Sequence, residues 1–294
     1  MPWQQLTIPT TAEAAESLED LLSEWGAVAV TLQDAGDDPI LEPGVDATPL
    51  WAEAILTALF TLDENLDVVL LQLQQHCTPE AFSQITKSLL PDQAWERAWL
   101  QDFKPMHFGH DLWVCPSTAD TPNDTAKVVW LDPGLAFGSG THETTSLCLQ
   151  WLAAHPPVNE SIIDFGCGSG ILAIAALTLG AKHVLAIDND PQAIDATLDN
   201  ATRNTTPAHQ LTCRLPNDKP LPASPFIVAN ILAAPLIELA PQLSAALTTN
   251  GTLLLSGILA HQADSVVAAY APQCQLVDKA VAGDWVRLVF SRRS

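Results

Sequence analysis

The seven residues Asp164-Phe165-Gly166-Cys167-Gly168-Ser169-Gly170 constrain this chain more than any other stretch. They follow Ser161-Ile162-Ile163, whose apolar pair fits the end of a buried strand. They precede Ile171-Leu172-Ala173-Ile174-Ala175-Ala176-Leu177, a good helix. Three glycines in five positions make a turn that neither a strand nor a helix would select. Glycine adopts φ > 0 freely and lets backbone approach a ligand closely. Strand, glycine turn and helix N-terminus together form a cradle for a nucleotide or cofactor, within an open α/β sheet.

The same unit carries a second marker. Ala181-Lys182-His183-Val184-Leu185-Ala186-Ile187-Asp188 reads as a short turn and then an apolar strand ending in an acid. Asp188 stands twenty-two residues beyond Gly166, near the spacing at which a carboxylate accepts hydrogen bonds from a ribose diol. The glycines run G-x-G-x-G, one residue short of the dinucleotide pattern, and no G-x-x-x-x-G-K-[ST] loop is present. A cofactor with a ribose but no phosphate fits this turn better than NAD or ATP. The competing reading, glycines that serve packing alone, leaves the acid at the strand end unexplained.

At 294 residues the chain has room for two domains. No apolar run reaches 18 residues, so no membrane span is expected. The start, MPWQQLTIPTTAEAAE, lacks a basic region followed by an apolar core, so no signal peptide is expected. Cys77, Cys115, Cys148, Cys167, Cys213 and Cys274 are scattered without a C-x-x-C, which fits a reducing cytoplasm. Charge is lopsided, with 34 acids against 12 bases. Residues 1–100 hold 17 acids and only Lys87 and Arg97, a net of −15; residues 101–294 hold 17 acids and 10 bases, a net of −7. Such a surface repels nucleic acid and attracts a basic partner. Solubility or a salty environment would explain the charge equally well, so it does not name a substrate.

The first segment reads as a small α/β domain. Trp3 to Ile8 predicts a strand, Ala12 to Trp25 a helix capped by Thr10 or Thr11 and ended by Gly26, and Ala27 to Leu32 a second strand. Residues 34–50, acidic and rich in Pro and Gly, predict a loop. Ala52 to Phe60 predicts a third strand, Asp63 to His76 a second helix and Phe82 to Leu89 a last strand. The order β-α-β-β-α-β is that of a ferredoxin-like domain. Trp95, Trp99 and Phe103 recur at helical spacing and predict a connecting helix that Pro105 stops. Strands around 112–114 and 128–130 follow, joined by residues 117–125, and then a helix from Thr144 to Ala154. A doubly wound core is predicted from about 159 to 294, with strands near 161–164, 184–187, 226–229, 252–256, 274–278 and 285–290.

Two further segments carry chemistry. Leu131-Asp132-Pro133-Gly134-Leu135-Ala136-Phe137-Gly138-Ser139-Gly140-Thr141-His142-Glu143-Thr144-Thr145 is a glycine-rich loop running into a helix. Its hydroxyls and N–H groups can bind a charged small molecule or simply cap the helix. Gly134, Gly138 and Gly140 permit hinge motion, so this loop is expected to close over a bound donor. His142 has no acid or cysteine partner at diagnostic spacing, and His142-Glu143 does not extend to a zinc-binding H-E-x-x-H because residue 146 is Ser. No metal site is expected. In Ile227-Val228-Ala229-Asn230-Ile231-Leu232 an apolar strand ends in one amide, which puts Asn230 on the same sheet edge as Asp164 and Asp188. Its side chain can accept from an amine and donate to a carboxylate, although an isolated Asn there could equally cap a helix or form a turn.

These residues resemble a known family. Asp164-Phe-Gly-Cys-Gly-Ser-Gly170, Ala186-Ile-Asp-Asn-Asp-Pro191 and Asn230-Ile-Leu232 look like the motifs of class I S-adenosylmethionine-dependent methyltransferases. Leu131 to His142, Trp95-Glu-Arg97, Gln192-Ala-Ile194, Ala229 to Ala233 and Ser256-Gly-Ile-Leu259 are similar to the ribosomal protein L11 methyltransferases, called PrmA. The resemblance covers residues 92–294; residues before 92 match in layout and length alone. It implies a Rossmann-like α/β methyltransferase domain, 117–294, preceded by a linker helix and connection, 92–116, and a ferredoxin-like α+β substrate-recognition domain, 1–91. It further implies S-adenosyl-L-methionine as cofactor and ribosomal protein L11 as partner, methylated on its α-amine and lysine ε-amines. The family's cofactor residues carry over to Thr145, Gly166, Asp188 and Asn230, with Phe137, Gly138, Thr141, Asp164 and Gly168 as further candidates in the cofactor loops. Ser139 replaces the family's usual Thr, and His107 stands where Arg is common. A monomer that acts in the cytoplasm and needs no direct contact with nucleic acid is expected. Methyltransferases of planar amines resemble N-P-P-Y after this strand, whereas here Asn230-Ile231-Leu232-Ala233 lacks the prolines and the stacking aromatic. A flat conjugated nitrogen is therefore disfavoured and an aliphatic amine favoured. No residue stands out as a general base.

Overall fold

The computed structural model describes residues 2–36, 51, 53–90, 104–132, 140–216 and 219–293. The chain divides into two compact units, Met1–Trp95 and Glu96–Ser294.

In the first unit β1 (Trp3–Thr11) leads into α1 (Ala12–Glu24), β2 (Ala29–Asp34), β3 (Glu53–Phe60), α2 (Leu66–Leu73), α3 (Pro79–Ser83) and β4 (Thr86–Leu90). The sheet order is β2-β3-β1-β4 with every pairing antiparallel. Alternation places Leu6 and Ile8 of β1 and Leu56, Ala58 and Phe60 of β3 on the face that packs with Leu18 and Leu22 of α1 and Leu66, Val69 and Leu73 of α2. Gly26, at φ +95°, ends α1 as expected. Asn65 caps α2 by accepting from the Asp67 N–H, and Thr78 caps α3 by accepting from the Ala81 N–H. The last strand starts later than the sequence suggests. Phe82 belongs to α3, because Thr78-Pro79 starts a helix there, and the strand begins at Thr86. The expected connecting helix with Trp95, Trp99 and Phe103, and most of the expected loop 34–50, lie outside the described residues.

In the second unit β5 (Met106–His107), β6 (Leu112–Cys115) and β7 (Lys127–Trp130) form a small sheet in which β6 and β7 run parallel. Next come α4 (Glu143–Ala154), β8 (Ser161–Phe165), α5 (Ile171–Thr178), β9 (His183–Ile187), α6 (Pro191–Arg203), β10 (Leu211–Arg214) and β11 (Ser224–Asn230). The chain ends with α7 (Ala233–Ala246), β12 (Leu247–Leu259), α8 (Ala263–Tyr270), β13 (Cys274–Ala282) and β14 (Trp285–Arg292). The large sheet has the order β10-β9-β8-β11-β12-β14-β13. Its first five strands are parallel, and β14 enters antiparallel between β12 and β13.

Both faces of this sheet are covered, which is why its strands read as continuous apolar runs. Ile162, Val184, Val228, Leu254 and Val289 pack on one side with Leu149 of α4 and Leu172 of α5. Their neighbours Ile163, Leu185, Ile227, Leu253, Leu255 and Leu288 pack on the other with Leu236 and Leu243 of α7 and Val266 of α8. The sequence reading omits β10. Only Leu211 of its four residues is buried, so the strand lies at the sheet edge and carries no apolar run to detect.

From β8 the chain winds outward through β9 to β10 and then returns to β11 on the opposite side. Between β8 and β11 the winding reverses, and open α/β sheets bind ligands outside the carboxyl ends of the strands at such a point.

Candidate active site

The three sequence markers emerge side by side at that reversal. Gly166 follows the end of β8, Asp188 follows the end of β9 and Asn230 ends β11. All three strands are mutually parallel, so these are carboxyl ends on one sheet edge.

The glycine turn has the conformation its composition suggests. Gly166, Gly168 and Gly170 have φ of +82°, +52° and +78°. Space is as restrictive as torsion. A β-carbon on Gly166 would fall 2.2 Å from Ile231 Cγ2, and one on Gly170 would fall 2.7 Å from Thr197 Cγ2. Ile231, directly after Asn230, is also approached from its other side. Gly257, at φ +82° within β12, would carry a β-carbon 2.3 Å from the Ile231 carbonyl oxygen. The exit of β11 thus passes between two glycines from separate motifs, and that close approach positions Asn230. Gly257→Ala is expected to destabilise the fold by about 3 kcal/mol through strain and overpacking. Chemical denaturation checks this, and a loss under about 1 kcal/mol would show that the exit loop relaxes easily.

Asp188 has a role beyond the one its spacing suggests. Its Oδ2 accepts from the Gly168 N–H at 2.9 Å and its Oδ1 from the Asp190 N–H at 3.1 Å. The carboxylate therefore ties β9 to the glycine turn while each oxygen keeps further acceptor capacity. Two residues that the sequence reading missed complete the turn. Thr197 Oγ1 donates to the Gly168 carbonyl at 3.0 Å, and Asn200 Nδ2 donates to the Ser169 carbonyl at 2.8 Å. Both are buried. Thr197, Asn200 and Asn204 form a polar stripe at helical spacing on α6 and its C-cap, and that stripe was the available signal.

Asp164 lies wholly buried beneath the turn. Its Oδ2 accepts from the Ala173 N–H of α5 at 3.0 Å, and among the described residues its Oδ1 has no partner. Burial pushes its carboxyl up to about 7, helped by the nearby Asp188 charge and opposed by the Ala173 N–H. A carboxyl whose folded pKa is raised stabilises the fold at low pH, and that contribution is lost as pH rises. The loss spans the window from about 4, the unfolded value, to about 7. The protein is therefore expected to lose thermal stability from about pH 4 to about pH 7, and Asp164→Asn to flatten that slope. Parallel slopes for the two proteins in thermal melts would remove Asp164 as the cause.

Thr145 and Asn230, 85 residues apart, meet directly. Asn230 Nδ2 donates to Thr145 Oγ1 at 3.2 Å. Thr145 is buried in the first turn of α4, and Ser256, register partner of Asn230, donates to the Thr144 carbonyl at 3.2 Å. The N-terminus of α4 is thereby fastened to β11 and β12. His142 is its N-cap, with Nδ1 accepting from the Thr144 N–H at 3.4 Å. It also makes an edge contact with the Trp285 ring, centroids 5.0 Å apart. Thr141 precedes it and is exposed. Gly140, at φ +86°, sits where a β-carbon would lie 3.3 Å from Ile171 Cδ1, so the end of the loop reaches the start of α5. Phe137 and Gly138, and most of the expected closing loop, lie outside the described residues. His107, the departure from the family pattern, bonds through Nε2 to the His110 carbonyl at 2.8 Å and packs on Trp113.

These groups suit a ribonucleoside with a charged tail. Asp188 offers carboxylate oxygens beside a backbone turn at positive φ, and Thr145 and Asn230 offer a hydroxyl and an amide at the neighbouring strand end. Cys167, at the centre of the turn, has its thiol pushed up by burial and by the Asp164 charge; it stays protonated and is no nucleophile. Among the described residues no group of three or more His, Cys, Asp or Glu side chains is placed to hold a metal ion.

The family model for ribosomal protein L11 methyltransferase (PrmA) matches residues 2–293. A ribosomal protein L11 methyltransferase of Marinobacter nauticus is 45% identical over 296 residues, covering 100% of this chain and 99% of the relative. One of Pseudomonas savastanoi pv. phaseolicola is 47% identical over 293 residues and covers 100% of both chains. The crystal structure of a ribosomal protein L11 methylase from Lactobacillus delbrueckii subsp. bulgaricus superposes with a TM-score of 0.59 at 33% identity, covering 65% of this chain and 100% of that one. The full-length match, the doubly wound sheet and the strand-end motifs carry one conclusion: the chain belongs to the PrmA family and is a class I S-adenosylmethionine-dependent methyltransferase.

Proposed function

We propose that this enzyme transfers methyl groups from S-adenosyl-L-methionine to amino groups of ribosomal protein L11, its lysine ε-amines and its N-terminal α-amine. The observation that carries the amine assignment is the exit of β11. Asn230 is followed by Ile231, pinned between Gly166 and Gly257, and by the exposed Leu232. None of Ile231, Leu232 and Ala233 is an aromatic that could stack on a planar base or amide, whereas an aliphatic amine needs only access and orientation. Full-length similarity to proteins described as L11 methyltransferases supports the protein substrate.

In this reading Asp188 accepts from the ribose diol of the donor, and the glycine turn from Gly166 to Gly170 lets its backbone approach the donor. Thr145 and Asn230 orient the end that carries the reacting centre. The bound donor supplies an electrophilic sulfonium methyl. The protein holds the amine in line and keeps water out of the site. No side chain is assigned as a general base. Residues 1–91 serve substrate recognition, 92–116 connect, and 117–294 carry transfer. Six free cysteines support a reducing, cytoplasmic setting. Incubating purified L11 with enzyme and donor, followed by peptide mass mapping, tests the proposal. Methylated lysines and a methylated N-terminus are expected; L11 left unmodified while the donor is consumed with metabolites would overturn it.

A further inference from the structure

The glycine turn and the glycine-rich segment 131–145 are joined by a chain of polar side chains centred on Arg203, the last residue of α6. Arg203 Nε stands 3.4 Å from Asp132 Oδ2, and its Nη1 donates to Asn200 Oδ1. Asn200 Nδ2 in turn donates to the Ser169 carbonyl at 2.8 Å. From the other side, Asp132 Oδ1 accepts from the Ser117 N–H at 2.8 Å and Oδ2 from the Ser117 hydroxyl at 2.6 Å. Asn204, the C-cap of α6, pairs twice with the Trp130 backbone. Its Oδ1 accepts from the N–H and its Nδ2 donates to the carbonyl, both at 2.7 Å. The end of α6 thus grips the exit of β7 at residues 130 and 132. The same helix face holds the glycine turn through Thr197 and Asn200.

A cation in the last turn of a helix offsets the helix dipole, and a partly exposed ion pair contributes little to stability. Lysine would serve both purposes. What needs arginine is the pair of directed bonds. Its planar guanidinium presents Nε to one partner and Nη1 to another in fixed geometry, whereas an ammonium is a single point of charge. The bond to Asn200 also sets the orientation of an amide. With Oδ1 turned to a donor, Nδ2 is left to face the Ser169 carbonyl. On the other side, Asp132 is the residue from which the chain enters Pro133-Gly134 and runs on to Gly140 and Thr145. Arg203 therefore stands between the entries of two segments that the site draws on.

We propose that Arg203 is a positioning residue for the methyl donor, acting through Asn200 on the glycine turn and through Asp132 on the segment that leads to Thr145. This inference rests on the donor site of the proposed function, and it adds a residue that acts on that site through others. Arg203 holds two segments from separate parts of the chain at one spacing. A donor can then engage Asp188 and the glycine turn at one end and Thr145 and Asn230 at the other. Spacing fixed before binding lowers the ordering cost that the donor would otherwise meet.

The test is isothermal titration of S-adenosylmethionine, and of its demethylated product S-adenosylhomocysteine, into the full-length enzyme with Arg203→Lys, Asp132→Asn or both. Arg203→Lys keeps the charge at the end of α6, and Asp132→Asn keeps an oxygen for the Ser117 N–H. Neither removes buried apolar area, so each is expected to melt close to wild type. Each is expected to raise Kd about fivefold or more for both ligands, which share the ribose and the amino-acid tail. The double variant is expected to bind about as weakly as either single one, because both changes break the same link. Affinity within about twofold of wild type for Arg203→Lys overturns the positioning role and leaves only the charge at the helix end. If that variant fails to fold, unchanged affinity in Asp132→Asn overturns the role instead. Losses that multiply in the double variant overturn the link through Arg203. Asp188→Ala is the control. Weakened binding there with none in Arg203→Lys overturns the positioning role alone, whereas unchanged binding in Asp188→Ala overturns the donor site itself, so the two failures are distinguishable.

Discussion

Asp188→Ala is expected to weaken S-adenosylmethionine binding by roughly 2–4 kcal/mol, about 30- to 1,000-fold in Kd. Two losses combine. In the proposed function the side chain accepts from the ribose hydroxyls through charge-assisted bonds, which are stronger than neutral ones. It also accepts from the Gly168 N–H at 2.9 Å, so its removal releases the turn that must approach the donor. Asp188→Asn separates the two. An amide oxygen can still accept from Gly168, but it has no charge and its nitrogen cannot accept from a hydroxyl. The amide variant is therefore expected to bind with intermediate affinity. Because Asp188 is partly exposed and lies after β9, neither change should unfold the protein. Isothermal titration of donor, with a thermal melt of each variant, checks this; affinity within twofold of wild type for the alanine variant would remove Asp188 from the donor site.

The second large effect concerns the division of the chain. A protein of residues 96–294, the second compact unit, is expected to bind S-adenosylmethionine nearly as well as the full chain and to lose most of its methyl transfer to intact L11. Every donor residue proposed above lies in that unit, including Asp188, Asn230 and the Thr145 hydroxyl. The first unit has its own core around Leu6, Leu22, Leu56 and Phe60, and its acids outnumber its bases strongly. A separate, charged domain with no catalytic constellation is best employed in holding a substrate, and its contribution should weaken with salt. Cofactor affinity is measured first, then transfer to whole L11 at limiting concentration. Equal transfer rates for the two proteins would exclude a docking role for residues 1–95.

The elements that position the site were legible from local chemistry. The turn at Gly166–Gly170 announced itself because three positive-φ positions in five residues demand glycine. The strands β8, β9 and β11 showed as apolar runs because helices cover both faces of the sheet. Asp188 and Asn230 stood out as polar residues ending those runs. Each of these signals is encoded within about ten neighbouring residues. The β10 strand was not legible, since an edge strand is held by backbone bonds to β9 more than by apolar side chains.

What the tertiary structure alone decided is how the motifs hold one another. Thr197 and Asn200 read as ordinary helix residues, yet they anchor the carbonyls of Gly168 and Ser169 from about thirty positions away. Asn230 and Thr145 became one hydrogen-bonded pair only when β11 and α4 came together. Gly257 could not be read as a site residue until the Ile231 carbonyl was found where its β-carbon would be. Asp164 matched the family's loop motif, but burial in the fold made it a capping carboxyl with a raised pKa. The physical reason is the same in each case. Propensity and periodicity are properties of adjacent residues, whereas desolvation, close approach and hydrogen bonding between segments exist only once distant parts of the chain have packed.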